Sequence, residues 1–316
     1  MRDPVPASPV PASPVPASSV PASPGSFDPH AVPIRPAATV MVVQDQSGAA
    51  GSQLQVLMLR RTARAIFAGD MWVYPGGRVD PEDDEIAARH VTGLDTAEAN
   101  RRLGLEAGGL AYWVAALREC FEEAGILLAR RLSDGAAIDT SDPATVARLA
   151  GRRVELNAGR TTFGEVIHAE EVVLDAARIH YVAHWVTPVG PARRFDTRFF
   201  LAAAPPGQIA AHDDNEVVHH EWVGPGLALR RWQADEMGMM TPTARMLMCL
   251  APFAGAAEAV RAAALDLAPE QIRVRQQDGT YHIMLPGEPG WEHGDPDTEF
   301  GWVKLRQAPG PGPAEA

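Results

Sequence analysis

Arg118-Glu119-Cys120-Phe121-Glu122-Glu123-Ala124-Gly125-Ile126 is the stretch on which the reading of this chain turns. It closes a longer segment, 110–125, in which Leu110, Trp113, Val114, Leu117, Phe121 and Ala124 recur at three- and four-residue steps, the period of one buried helical face. Gly125 suits the end of that helix. At about 100° per residue, Glu119 and Glu123 lie about 40° apart and Glu122 about 60° to the other side, so three carboxylates share a face about 100° wide. Like charges packed so closely destabilise a bare helix, and a hard divalent cation such as Mg²⁺ or Mn²⁺, which prefers carboxylate oxygens and bridges to phosphates, would relieve them. The same spacing also allows a solvated face on which Arg118 pairs with Glu122 at i, i+4.

Upstream, 38–43 and 54–61 read as strands, and Trp72-Val73-Tyr74 reads as a short strand closing on a Pro75-Gly76-Gly77 turn. The glycines there suit positive φ or a close backbone approach. The acidic run 80–85 and the segment 96–105 read as a helical excursion. Downstream, helices are expected at 143–149, 163–177, 227–234 and 242–254, strands at 181–187 and 195–203, and a hairpin at 272–285 turning on Asp278-Gly279. Interspersed strands and helices make the class α/β or α+β.

The ends read differently from the middle. Residues 5–24 repeat a V-P-A-S-P unit four times, once as V-P-A-S-S, a composition without the apolar area to offset its ordering entropy. The expected organisation is a disordered Pro/Ala/Ser tail over 1–35, a folded domain over 36–255, and a C-terminal extension over 256–316 with a hairpin and a frayed end. Across 316 residues, 46% hydrophobic and 22% charged is ordinary globular composition. No run approaches the roughly 18 apolar residues of a spanning helix. The net charge of -12 argues against attraction to nucleic acid or anionic membrane. Cys120 and Cys249 show no paired spacing, so neither a disulfide framework nor a zinc site is expected, and a soluble cytoplasmic protein fits.

A glycine pair followed by an R-E-x-x-E-E-x-G helix resembles the box of the Nudix hydrolases: glycine, five spacers, glutamate, seven spacers, then R-E-U-x-E-E-x-G-U with U apolar. The second half is complete over 118–126 if Cys120 counts as apolar. In the first half Gly77 is followed six positions later by Asp83, where the family has glutamate, with Glu82 and Glu85 as alternatives. The 34 residues between Asp83 and Arg118 exceed the family's seven by 27. The resemblance implies a Nudix α/β/α sandwich with a helical insertion at about 84–109 and a C-terminal extension. It further implies hydrolysis of a pyrophosphate bond in a nucleoside diphosphate-linked substrate, with Mg²⁺ or Mn²⁺ held by Glu119, Glu122 and Glu123. Arg118 would orient a carboxylate, and Gly77 would let backbone approach metal or phosphates. The family's general base varies; Glu216 and Glu221 occupy the usual later acidic region.

The long insertion, with Arg193-Arg194-Phe195-Asp196-Thr197-Arg198 after Trp185-Val186-Thr187-Pro188, looks like the branch of that family related to the peroxisomal coenzyme A diphosphatase. That branch cleaves CoA and acyl-CoAs to 3′,5′-ADP and the 4′-phosphopantetheine half. Arg193, Arg194 and Arg198 could supply bidentate donors to a phosphate, or Arg194 or Arg198 could pair with Asp196. Other expectations stay open: NADH, ADP-ribose or a nucleotide sugar as substrate, a non-catalytic nucleotide-binding module, and a homodimer. The adjacent His219 and His220 are expected to face opposite sides of a strand and share no ion.

Overall fold

The computed structural model describes residues 28–48, 51–65, 68–213, 215–277, 280–295 and 301–307. The repeat at 5–24, the expected turn at Asp278-Gly279 and the end beyond 307 lie outside the described residues.

Alternate residues of the long strands face opposite ways, and both faces are apolar, which is why the sheet is covered on both sides. On β1 (Ile34–Gly48), Ala38, Val40 and Val42 enter one core while Met41 and Val43 enter the other. On β2 (Gly51–Arg61), Leu57 and Leu59 oppose Val56 and Met58 in the same manner. β3 (Trp72–Val73) pairs with β2, and β4 (Gly76–Arg78) with β1. There follow α1 (Pro81–Ala87), β5 (Val91–Thr92), α2 (Thr96–Leu103), α3 (Gly109–Ala124), β6 (Ala129–Arg131), α4 (Pro143–Asn157), α5 (Phe163–Ala169) and β7 (Val172–Asp175). The chain then runs through β8 (Ile179–Val186), β9 (Arg194–Ala203), β10 (Val217–Val223), α6 (Pro225–Gln233), α7 (Thr241–Leu250) and α8 (Ala256–Ala264). The last elements are β11 (Glu270–Gln271), β12 (Arg273–Gln277), β13 (Thr280–Met284) and β14 (Trp302–Val303).

The main sheet runs β10-β2-β1-β9-β8-β14-β11, with β1 and β9 parallel and the other neighbours antiparallel. One layer holds α3 and the elements packed over it; the other holds α7, α8 and the β12–β13 pair. The architecture is a mixed α/β sandwich.

Four expectations need correction. Gly76 and Gly77 form strand β4 against β1 rather than a turn, and neither has positive φ. The segment 163–177 is α-helical only to Ala169: Glu171 takes a left-handed φ of 52°, and the β-branched Val172-Val173 continues as β7 between β5 and β6 before a 3-10 turn at Ala176–Arg178. The insertion at 84–109 is not wholly helical, because β5 pairs with β7. The boundary at 255 is not a physical one, since β14 pairs with β8 in the main sheet and α8 packs on β1, β8 and β9.

The catalytic-helix candidate α3 departs most from expectation. It is buried all round: of its 16 residues only Glu119 and Glu122 are partly exposed. Trp113 packs on Phe200 of the sheet, while Phe121 meets Phe163 of α5. Its polar edge therefore faces other protein rather than bulk water.

Candidate active site

Arg118 organises the site. Its side chain is buried, and all five guanidinium N–H groups find acceptors. Nε and Nη2 bond the two carboxylate oxygens of Asp83 at 2.9 and 3.1 Å. Nη1 donates to Glu119 Oε1 at 2.8 Å and Glu122 Oε2 at 3.0 Å, and Nη2 also donates to the Arg78 carbonyl at 2.9 Å. Of the three acidic residues considered for the first position, Asp83 is thus the one in contact; Glu82 instead accepts from the Gly164 amide, and Glu85 is exposed. Asp83 also accepts from the Asp80 amide in the capping box that starts α1, so helix nucleation and the site share one carboxylate.

Glu123 turns toward β4, where its Oε2 accepts from the Gly76 amide at 3.0 Å. Its Oε1 lies 3.7 Å from Nη1 of Arg61, whose Nη2 bonds Glu216 Oε1. Arg61 ends strand β2 and joins the loop glutamate to the helix. Glu221 is elsewhere, held by Arg231 at 2.8 Å.

The glycines are explained by close approach. A Cβ on Gly77 would stand 2.3 Å from Glu119 Oε1, and one on Gly76 2.6 Å from the Ala38 carbonyl and 2.7 Å from Thr39 Cα. The first obstacle is a side-chain end and the second is backbone, so the two positions should respond differently. Gly77→Ala is expected to leave folding within about 1 kcal/mol but to displace Glu119 and lower turnover about tenfold or more. Gly76→Ala should cost about 2 kcal/mol or more of stability. Denaturant melts and initial rates on both variants check this; Gly77→Ala with normal turnover would contradict the role of Glu119.

Burial is the main cause that raises the carboxyl pKa values here. It pushes Glu119 from the ordinary 4.5 up to about 7, even against Arg118, and lifts Glu122, Glu123 and Asp83 as well. For Arg118, burial opposes the charge, but Asp83, Glu119 and Glu122 outweigh it and keep the guanidinium protonated. Glu119, Glu122 and Glu216 each commit one oxygen to an arginine and keep the other free of hydrogen bonds among the described residues, while Glu123 gives one oxygen to an amide and holds the other 3.7 Å from Arg61. Hard donors in excess of their cations suit a divalent ion of the Mg²⁺ type. Among the described residues no three such side chains are already gathered as a closed ligand set.

The sign of the pH effect follows. A carboxyl whose folded pKa lies above its unfolded value stabilises the fold below the unfolded pKa, and the benefit is lost as pH rises through the folded one. For Glu119 the window runs from about 4.5 to about 7. Millimolar MgCl₂ should therefore raise the melting temperature more at about pH 8 than at about pH 5.5, where the ligand oxygens carry protons. Equal shifts at the two pH values would remove the site from consideration.

The structure gathers Gly77, Arg118, Glu119, Glu122, Glu123 and, through Arg61, Glu216. Arg194 and Arg198 lie on the central strand β9, where Arg198 is separated from Gly77 by Ala38 of β1, and Arg193 precedes the strand. Arg198 is buried opposite Ala38, pairs with Asp196 at 3.0 Å and stacks over Tyr112 at 5.8 Å; its Nε has no hydrogen-bond partner among the described residues. Arg194 donates from Nε to the Thr187 carbonyl, and Arg193 is half-buried. His219 and His220 are successive residues of the β10 ladder, and His212 lies near both, with ring centroids 6.3 and 5.1 Å away and the His212 and His220 Nδ1 atoms 2.8 Å apart.

The profile of the NUDT19 Nudix domain matches residues 95–249. The acyl-coenzyme A diphosphatase NUDT19 of Xenopus laevis is 25% identical over 233 residues, covering 64% of this chain and 61% of that protein. Its Gallus gallus counterpart is 28% identical over 223 residues, covering 60% and 58%. The crystal structure of a Nudix hydrolase from Alicyclobacillus acidocaldarius superposes with a TM-score of 0.57 at 28% identity, covering 73% of this chain and 97% of that one. Over residues 95–249 the chain resembles the Nudix hydrolases. It spans about 60% of the length of these two curated relatives. The matched residues begin after Gly77 and Asp83, so those two positions of the Nudix box rest on their contacts with Glu119 and Arg118. Two arginines at the site, Arg61 and Arg153, escaped the sequence reading as site residues. Arg153 left a trace, one helical turn after the buried Leu149 on α4.

Proposed function

We propose that this protein hydrolyses the pyrophosphate bond of CoA or acyl-CoA, giving 3′,5′-ADP and the (acyl-)4′-phosphopantetheine half. The observation that carries the hydrolytic part is the set of four carboxylates around Arg118 and Arg61, of which Glu119, Glu122 and Glu216 are each tethered through one oxygen with the other free of hydrogen bonds among the described residues. Glu119, Glu122 and Glu123 would hold Mg²⁺ or Mn²⁺. Such a cation supplies neutralisation of phosphate oxygens and a more acidic water. Arg118 fixes the two carboxylates that flank it, and Glu216, exposed and steadied by Arg61, accepts the proton of the attacking water. Attack at one phosphorus forms a P–O bond to the water oxygen and breaks the bridging P–O bond, leaving two phosphate monoesters.

The CoA part is supported by the activity after which the two relatives are named and by the β9 arginines, among which Arg198 keeps a buried Nε with no hydrogen-bond partner among the described residues. A small-molecule substrate in the cytoplasm is part of the same reading. Incubation with Mg²⁺ or Mn²⁺ and CoA, acyl-CoAs, NADH, ADP-ribose and nucleotide sugars, with products read by mass spectrometry, tests it. Release of 3′,5′-ADP is expected. AMP from NADH or ADP-ribose would keep the carboxylate site and discard CoA, and tight binding without products across the panel would favour a nucleotide-sensing module.

A further inference from the structure

We propose that Arg153, on α4 and outside the Nudix box, is a positioning residue that sets the carboxylate-bearing helix against the loop leading to Glu216. The inference rests on the hydrolytic reading above. The last carbonyls of a helix have no intrahelical partner, and the negative end of its dipole collects there. In α3 these carbonyls belong to Glu122 and Glu123, whose side chains are the candidate ligands. Arg153 is buried and takes both: Nε donates to the Glu122 carbonyl at 2.8 Å and Nη2 to the Glu123 carbonyl at 2.7 Å. Its remaining nitrogen, Nη1, donates to the Ala211 carbonyl at 2.7 Å.

One planar fork thus joins two segments that the sequence separates by nearly ninety residues. The same junction carries an Ala211 amide bond to the Ala124 carbonyl at 2.9 Å, and Gln208 bonds both the amide and the carbonyl of Leu127. Two residues after Ala211, the Asp213 carboxylate accepts from the Asn215, Glu216 and Val217 amides and so holds the Glu216 backbone. Asn157, one turn after Arg153, adds a bond to the Glu122 carbonyl at 3.1 Å. The distance between the ligand carboxylates and Glu216 is therefore held at the backbone by Arg153 and at the side chains by Arg61. A lysine, with one point of charge on a flexible stem, cannot span two carbonyls of the helix and a third from the loop.

The test uses full-length Arg153→Lys, Arg153→Met and wild type. Mn²⁺ affinity is read by electron paramagnetic resonance, kcat and KM on whichever panel substrate is turned over, and folding by circular dichroism melts. Arg153→Met is expected to weaken Mn²⁺ binding about tenfold and to lower kcat about thirtyfold with KM within about threefold, and Arg153→Lys to fall between. Folded variants that keep Mn²⁺ affinity and kcat while only the melting temperature drops would overturn the proposal. Should neither variant fold, Asn157→Ala is expected to lower kcat about threefold, and an unchanged kcat there would overturn it as well. Wild type that binds Mn²⁺ but turns over nothing sinks the hydrolytic reading, while the affinity comparison still decides Arg153. Wild type that binds no Mn²⁺ sinks both.

Discussion

Glu122→Gln is expected to lower turnover by about a hundredfold or more, which is about 2.7 kcal/mol of barrier, with little change in folding. Glu122 is the most exposed of the three helix carboxylates, at 24% against 14% for Glu119 and 6% for Glu123. Its Oε2 accepts from Arg118, a bond that the amide oxygen of glutamine can also accept. What the substitution removes is the charge and the second anionic oxygen. Because burial already raises the Glu122 pKa, neutralising this side chain should leave the melting temperature unchanged or slightly higher. Steady-state rates on the substrate found by the panel, beside a thermal melt, decide the matter. Turnover within about threefold of wild type would take Glu122 out of the ligand set.

Arg118→Met should have the largest effect on the fold itself. Asp83 is fully buried and loses both bonds to its guanidinium partner, while Glu119 and Glu122 lose their shared counter-charge. Breaking a buried pair by removing one member costs about 3–5 kcal/mol, since the other charge is left uncompensated. Burial already raises the Asp83 pKa and Arg118 restrains the rise; without it the folded carboxyl holds its proton more tightly still. Such a group stabilises the fold below its unfolded pKa and loses that contribution as pH climbs, so the deficit of the variant should shrink toward acid and grow toward neutrality. Urea titrations at several pH values measure it. A deficit below about 1 kcal/mol at neutral pH would mean that Asp83 has another partner.

What could be read from the chain and what could not divide along the range of the interactions. The 110–125 helix was legible because its period, its glycine stop and the spacing of its carboxylates are local. Its all-round burial was not, although Ala111, Ala115 and Ala116 on the face away from the periodic residues carry a trace of it, being small enough for close packing. The Gly76-Gly77 pair reads locally as a turn. Its cause is distant, a carboxylate on α3 for one and the backbone of β1 for the other. Arg118 pairs with Glu122 as the i, i+4 spacing suggests, but Asp83, 35 positions earlier, takes two of its five bonds, and only the fold brings it there. Arg153 meets the helix carbonyls across 30 and 31 positions and Arg61 meets Glu216 across 155, separations at which a single chain leaves little record.

α3 has the sheet on one side, through Trp113 on Phe200, and α5 on the other, through Phe121 on Phe163. The stretch 118–126 is therefore no cassette. Moved elsewhere by itself, it would arrive without Phe163 against Phe121, and Arg118 would lose the capping carboxylate of α1 that now neutralises it. The start of α1 and the chemistry share one carboxylate, Asp83, so neither is independent of the other.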